Sequence, residues 1–467
     1  MGKEVKERPA RAIVAAVQLP GVSDVELEAS LNELRELAKT LGFEVVGTFM
    51  QRRDNFDTAA YLGVGKRQEM RRFVENEAEL EHEPDSPSAP GSVRRAARAK
   101  EAAQSAADPD TRRADVILVD HEISPSQARN LEIEVGCEVM DRTMVILEIF
   151  HRHARSRAAR AQVEIARLGY MAPRLREAAK LAGPKGRQRS GVGGRGAGEA
   201  HSELDRQKIR NRIAELQEEI AAMDVERKTQ RARRQERQGL ARVALVGYTN
   251  AGKSTLMRAL TGSEVLVADK LFATLDTTVR ALHPESVPRV LLSDTVGFIK
   301  NLPHDLVASF KSTLEEAVEA SLLIHVIDAS DSGFERQLAV TDEVLHEIGA
   351  QAVPRIRVFN KIDCVGDAAA QAAREAALRV QYPECMVMSA RRAGDVAKLH
   401  AAIQAFFQKD LVEAELFLPW SAQQLRGEIF ASCEVLEERA DGEGAFFRVR
   451  GEPDTVNGLR EQFGQTR

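Results

Sequence analysis

The sequence predicts an α/β fold in three parts: a small parallel α/β domain with a long antiparallel helical hairpin, a central domain built around a glycine loop, and a small α+β domain. Three observations predict it. Residues 11 to about 150 alternate strand-type and helix-type patterns. Residues 143–238 carry apolar side chains at helical spacing on both sides of a glycine- and arginine-rich segment. Residues 242–260 read as a buried strand, the loop G-x-x-x-x-G-K-S, and a helix. A chain of 467 residues holds about three domains, and 43% hydrophobic content supplies their cores.

In the first part, residues 1–142, Ala12–Val17 is an unbroken apolar run, as a strand covered on both faces requires. Val25–Leu41 has helical spacing, with Leu27, Leu31, Leu34 and Leu41 on one side. Glu44–Phe49 is the next strand and Gly65–Val74 a helix. Asp115–Val119 is a third strand, Ser124–Val135 a helix, and Glu138–Met140 a short strand. Residues 75–109 are rich in Glu, Ala, Ser, Pro and Arg without periodicity, and are expected to be an exposed, mobile insertion. From Thr143 to residue 238, Ala161, Ile165, Leu168, Leu175 and Ala179 form one apolar stripe. Leu204, Ile209, Ile213, Leu216, Ile220 and Met223 form a second. Residues 183–198 between them are the expected hairpin tip. The central domain spans 240–408. In the last part, 411–467, Glu415–Trp420 reads as a strand and Ser421–Ser432 as a helix with Ser421 as N-cap. Val435–Arg439 and Gly444–Val449 read as a hairpin, Val456–Phe463 as a last helix, and Trp420 as a core residue.

Charge is segregated. Residues 151–195 hold 12 Arg and Lys against two acids, a local +10, while the whole chain carries −5. Such segregation points to a phosphate backbone as partner, with a solvated face as the bland alternative. Aromatics are nearly absent there, so phosphate and shape recognition of structured RNA is expected rather than base stacking, and no DNA. His151 and His153 fall on different helix faces and are not expected to pair on a metal. The cysteines Cys137, Cys364, Cys385 and Cys433 are scattered without a C-x-x-C pattern, which suits a reducing compartment. No run of 18 uncharged apolar residues exists. A monomeric cytoplasmic protein is expected, in part bound peripherally to a larger particle or membrane.

The central domain carries the chemistry. Gly247, Tyr248, Thr249, Asn250, Ala251, Gly252, Lys253 and Ser254 form a phosphate-binding loop, followed by Thr255 in the helix. Its amides point at phosphate oxygens, Lys253 adds charge against the β/γ-phosphates, and Ser254 is a direct Mg²⁺ ligand. Asp294, Thr295, Val296 and Gly297 end a strand in D-T-V-G, where Asp294 holds Mg²⁺ through water and the Gly297 amide approaches the γ-phosphate. Asn360, Lys361, Ile362 and Asp363 spell N-K-I-D. The Asp363 carboxylate accepts from guanine N1–H and the 2-amino group together, a donor pair adenine lacks. Asn360 is expected on the base edge, the Lys361 stem over the ring, and an amide of Ser389, Ala390 or Arg391 near guanine O6. The order of these motifs identifies a P-loop G domain with Lys253 and Gly297 among the catalytic groups. Switch I lies between Ser254 and Asp294, where Thr274, Thr277 and Thr278 compete as Mg²⁺ ligand. Phe298 follows D-T-V-G where other GTPases place a water-orienting Gln, so slow intrinsic hydrolysis is expected. Asn250 either helps hold a K⁺ beside the phosphates or closes the loop by side-chain bonding.

Together the chain resembles the HflX family of ribosome-associated GTPases, in the Obg–HflX superfamily. The carrying segments are Tyr61-Leu-Gly-Val-Gly-Lys66, Ser124-Pro-Ser-Gln-Ala-Arg-Asn-Leu131, Asp141-Arg-Thr-Met-Val-Ile-Leu147 and the G-domain motifs. The resemblance implies that Thr274, within Leu271, Phe272, Ala273, Thr274, Leu275 and Asp276, is the switch ligand to Mg²⁺. It further implies binding of the large ribosomal subunit, with the helical region reaching rRNA. Action on stalled ribosomes under stress and release on GTP hydrolysis follow from the same likeness. The glycine-rich stretch departs from the family's G-G-x-G-T-R-G-P-G-E-T-Q-L-E: here it runs Gly191-Val-Gly-Gly-Arg-Gly-Ala-Gly-Glu-Ala-His-Ser-Glu-Leu204. The competing expectation is a GTP-dependent signalling switch acting on a protein effector without RNA.

Overall fold

The computed structural model describes residues 9–75, 113–181, 206–223, 225, 241–262, 271–272, 277–286, 288–300, 311–409 and 411–464. The insertion read at 75–109 therefore lies, but for residue 75, outside the described residues, and so does the glycine-rich tip at 183–198. Contacts divide the chain into two units. One comprises Met1–Ala154, Arg160–Gln217 and Pro303–Leu306, the other Arg155–Ala159, Glu218–Leu302 and Val307–Arg467.

In the first unit, β1 (Arg11–Gln18), β2 (Glu44–Arg52), β3 (Val116–Val119) and β4 (Glu138–Asp141) form a parallel sheet in the order β2-β1-β3-β4. Ala12–Val17 in β1 is buried on both faces, which is why its sequence does not alternate. The helix Asp24–Thr40 starts at Ser23, whose side chain and that of Glu26 cap each other's backbone amides. Ser124 and Gln127 do the same for Pro125–Val135, and Gly136 ends that helix at φ 85, a conformation open to glycine. The carboxyl edge of the sheet is closed by polar side chains. Arg142, 2% exposed, donates to Asp120 at 2.9 Å and to Glu33. The Tyr61 hydroxyl accepts from the Val17 amide at 2.9 Å and lies 2.8 Å from His121 Nδ1.

Asp141 joins this sheet to the basic helix Arg157–Leu181. Its carboxylate is buried, caps the helix Arg142–His153 by accepting from the Met144 amide at 2.9 Å, and accepts from Arg174 at 2.6 Å. The Tyr170 hydroxyl donates to it as well, and the Arg174 guanidinium sits 4.1 Å from the centre of the Tyr170 ring. Burial, and then the Asp141 charge, push the Tyr170 phenol upward, so it stays a donor. Residues 206–223 are helical, with Leu216 buried and Ile209, Ile213 and Ile220 half-buried along one stripe. Arg212 pairs with Glu164 at 2.8 Å and Arg157 with Glu219 at 3.2 Å. As the number rises on one helix it falls on the other, which is the antiparallel hairpin sense. Part of the local positive charge is met inside the chain. Arg152, Arg157, Arg167 and Arg174 pair with Glu148, Glu219, Glu148 and Asp141, acids that lie outside residues 151–195.

In the second unit, β5 (Ala241–Gly247), β6 (Thr278–Ala281), β7 (Val290–Asp294), β8 (Leu322–Asp328), β9 (Arg355–Asn360) and β10 (Met386–Val387) form a sheet in the order β10-β9-β8-β5-β7-β6. It is parallel except for β6, which runs against β7. β5 is therefore interior, and the carboxyl ends of β5, β7, β9 and β10 bring the sequence motifs to one edge, where open α/β sheets bind ligands. β11 (Val412–Pro419), β12 (Glu434–Ala440) and β13 (Gly444–Gly451) form an antiparallel sheet in the order β11-β13-β12. Leu416, Leu418, Phe447 and Val449 on one face pack with Ile429, Val456 and Leu459 of the helices Arg426–Ser432 and Pro453–Gly464. Two expectations fail here. Ser421 is not an N-cap: a 3₁₀ turn spans Trp420–Leu425, and Arg426–Ser432 begins at Leu425 with no side-chain cap. Trp420 is 45% exposed rather than core, its indole donating to the Asp441 carbonyl at 3.2 Å. The strand ends at Pro419, and the 3₁₀ turn that follows buries Ala422 rather than Trp420.

Asp141→Asn removes the charge that holds Arg174 and Tyr170. Loss of one partner of a buried pair costs about 3 kcal/mol, so hydrogen exchange of the amides in Arg157–Leu181 is expected to accelerate by on the order of a hundredfold, with β5 unchanged. Unaltered protection of that helix would contradict this role for Asp141.

Candidate functional site

The glycine loop leaves β5 at Gly247, φ 144, and enters the helix Lys253–Thr261 after Gly252, φ 97. Both glycines are forced. A Cβ on Gly247 would lie 2.2 Å from the Val326 carbonyl of β8, and one on Gly252 would lie 2.3 Å from Asn360 Nδ2. Asn250 sits at φ 57, a conformation Asn tolerates. The loop is pinned to the segment after β7: the Thr249 amide donates to the Phe298 carbonyl at 2.7 Å, and the Phe298 amide to the Gly247 carbonyl at 3.1 Å. The Lys300 amide donates to the Tyr248 hydroxyl at 2.8 Å. Ala251 is buried behind the loop, and Thr255 lies in the first turn of the helix.

Lys253, 7% exposed, donates to the carbonyls of Gly247 at 3.0 Å and Tyr248 at 2.8 Å. Burial lowers its pKa to about 8, with nearby Asp294 opposing and Lys361 adding to the shift. A lysine in that state gains from an incoming polyanion. The Ser254 hydroxyl donates to Asp294 at 2.7 Å. A hydroxyl beside a fully buried carboxylate is the hard-oxygen set that Mg²⁺ takes, so these residues fit the ion. The Thr295 hydroxyl donates to the Leu245 carbonyl at 2.7 Å and fixes the D-T-V-G turn, with Val296 buried beside it. A Cβ on Gly297 would stand 2.9 Å from Thr249 Cα and 3.0 Å from Lys253 Nζ, so only glycine brings that amide so close to the loop. Phe298 is 1% exposed, its ring in the interior, and cannot orient water. Thr278 opens β6 opposite Asp294, and Thr277 flanks it. Leu271 and Phe272 are buried, Phe272 at φ 55. Ala273, Thr274, Leu275 and Asp276 lie outside the described residues.

At the base-recognition end Asn360 has partners within the chain, which leave one N–H and one lone pair of its amide for a base edge. Its Nδ2 donates to the Ala251 carbonyl at 3.0 Å, and its Oδ1 accepts from the Ala390 amide at 2.9 Å. The side chain thus ties the phosphate loop to the segment after β10. The amides of Ser389 and Arg391 also have partners, Asp395 at 3.1 Å and the Ser389 hydroxyl at 3.2 Å. Lys361, at φ 61, is held by Asp328 at 2.9 Å. Ile362 is buried, and the Asp363 carboxylate lies 3.9 Å from the Arg391 guanidinium. Sequence reasoning missed Asp328 and Asp395. Each sits outside a recognisable motif, and the only signal for Asp328 was a carboxylate at the end of β8, beside β9.

Residues 242–361 match a family described as 50S ribosome-binding GTPase, 153–234 the GTP-binding GTPase middle region, and 28–81 with 89–151 the GTP-binding GTPase N-terminal region. A GTPase HflX of Gluconacetobacter diazotrophicus is 51% identical over 450 residues, covering 96% of this chain and 97% of that protein. The GTPase HflX of Escherichia coli is 39% identical over 333 residues, covering 71% and 76%. A solved GTP-binding protein of Sulfolobus solfataricus in complex with GDP is 22% identical, with a TM-score of 0.42 over 84% of this chain and 99% of that one. With nearly the whole length matched by these relatives, and the phosphate loop, the D-T-V-G turn and N-K-I-D at one sheet edge, the chain belongs to the HflX family of GTPases.

Proposed function

We propose that this GTPase engages the large ribosomal subunit in its GTP form, releasing stalled ribosomes under stress and leaving when GTP is hydrolysed. The observation that carries the reading is the pairing of a guanine-nucleotide site with a basic helical segment of local charge +10. The 50S ribosome-binding description of the family matched at 242–361 supports it. Arg155, Arg160, Arg176, Lys180, Lys185, Arg187, Arg189 and Arg195 are the basic residues of that segment beyond the four paired as described above. Soluble cytoplasmic residence follows from this reading; no described helix is long and apolar enough to cross a membrane.

In this mechanism the loop amides and Lys253 bind the β- and γ-phosphates, and Asp363 selects guanine. Asn360 holds the two loops in register. Ser254 and Thr274 would hold Mg²⁺ directly and Asp294 through water, and the ion would supply charge neutralisation on the β- and γ-oxygens. The Gly297 amide and the Thr274 segment sense the γ-phosphate. Water attacks phosphorus in line as the bond to the β–γ bridging oxygen breaks, the electron pair leaves on GDP, and the water proton passes to the released phosphate. With Phe298 buried, the intrinsic rate is slow and the ribosome accelerates it. In this reading Asn250 helps hold K⁺ beside the phosphates.

Sedimentation with large subunits tests the partner. A non-hydrolysable GTP analogue is expected to promote binding, its adenine counterpart is not, and raising salt weakens it. Alanine at Lys185, Arg187, Arg189 and Arg195 flattens the log–log salt slope by roughly one for each phosphate left unneutralised. Absence of binding at low salt refutes the ribosomal reading, and a nuclease-resistant protein complex in its place favours the signalling switch. For the cation, hydrolysis is expected to be severalfold faster in K⁺ than in Na⁺; equal rates remove Asn250 from that role.

A further inference from the structure

One side chain in the phosphate loop carries a polar atom that the described protein does not satisfy. Thr249 is 7% exposed, and its Oγ1 is buried with no hydrogen-bond partner among the described residues. A buried hydroxyl without a partner is costly, and its retention asks for an acceptor. The backbone around it is fixed by the bond from its amide to the Phe298 carbonyl at 2.7 Å. Its position is equally defined. Thr249 Cα and Cγ2 each lie 2.9 Å from the point where a Cβ on Gly297 would stand, and Lys253 Nζ lies 3.0 Å from the same point. Thr249, Gly297 and Lys253 therefore meet at the end of the loop where the terminal phosphate is read. Thr249 presents its methyl toward that point. Threonine is branched at Cβ, so one 120° step about χ1 carries Oγ1 into the place of Cγ2, and the methyl into the place of the Cβ hydrogen, without moving the backbone. Phe298, at the position where other GTPases carry a polar side chain, has its ring in the core.

We propose that Thr249 is a catalytic residue of this GTPase, whose hydroxyl donates a hydrogen bond to an oxygen of the γ-phosphoryl group. The inference rests on GTP occupying the loop. As the new bond from water to phosphorus forms and the bond to the β–γ bridging oxygen breaks, the electron pair leaves on GDP and the water proton goes to the phosphate. Thr249 keeps its own proton throughout. The hydroxyl is already desolvated and the backbone that carries it is fixed, so a single side-chain rotation brings it onto charge at the γ-phosphoryl oxygens. GDP has no γ-group, so the contact separates GTP from GDP.

The test compares Thr249→Val, which keeps the shape and removes the hydroxyl, with Thr249→Ser, which keeps the hydroxyl. Affinities for GDP and for GDP with aluminium tetrafluoride are read by fluorescent-nucleotide competition, alongside single-turnover hydrolysis. The valine variant is expected to hold GDP as the unaltered chain does. It should lose on the order of tenfold or more in affinity for the aluminium fluoride complex and in hydrolysis rate, as for one hydrogen bond to a charged group. The serine variant stays within a few-fold of the unaltered chain. Equal affinities of the valine variant and the unaltered chain for the fluoride complex overturn the proposal. So does a valine variant that loses GDP and the fluoride complex alike, because the hydroxyl then serves the fold. A serine variant as impaired as the valine one overturns it too, leaving the methyl as the group that matters. Failure of the unaltered chain to bind GDP would instead refute the nucleotide reading itself.

Discussion

A lysine ammonium buried against backbone carbonyls is the constraint from which the rest of the second unit follows. Lys253 is held at Gly247 and Tyr248 in a place where burial works against its charge. Such an arrangement is unfavourable in isolation and favourable with a polyanion present. It exists because β5 is interior to the sheet and the loop is locked on both sides. β8 closes one side at Val326, and the Phe298 segment closes the other. Glycine at 247, 252 and 297 is what lets the backbone come so close, and a side chain at any of them would displace a neighbour.

The first unit solves a comparable problem with the opposite sign. Asp141 is a buried carboxylate that ends β4, and it is stable because Arg174, Tyr170 and the Met144 amide converge on it. One residue thereby ends a strand, starts a helix and fixes the basic helix against the sheet. Arg142 and Tyr61 close the same edge, so the crevice that in other open α/β sheets receives a ligand is here partly filled by the chain's own side chains.

Much of this was legible in the sequence, for physical reasons that can be named. The unbroken run Ala12–Val17 and the capping residues Ser23 and Ser124 mark their elements because burial and unpaired helix amides leave signatures within a few residues. The phosphate loop was legible because its backbone geometry admits few residues. What stayed hidden depends on partners distant in the chain. Asn360 reads as a base-edge residue in N-K-I-D, and nothing in that motif shows that its amide also bridges Ala251 and Ala390, 109 and 30 residues away. Asp328 holds Lys361 from the end of the neighbouring strand, a relation fixed by strand order alone. Trp420 looks like core because of its type, and it lies exposed because the strand ends at Pro419. The orphaned hydroxyl of Thr249 is likewise visible only once Phe298 and Gly297 are seen around it.

The central claim is that Lys253 is a buried cation, only partly compensated by Asp294, whose charge is completed by the nucleotide. In the free protein its pKa lies at about 8, so above that pH it is largely neutral. A bound triphosphate raises it again, and binding must then take up a proton, with affinity falling as pH rises past 8. Calorimetric titration of GTP at about pH 8.5, repeated in buffers of different ionisation heat, reads that proton directly. The account predicts net proton uptake that vanishes at pH 7, where Lys253 is already charged. Buffer-independent heats at the higher pH, or proton release, would contradict it.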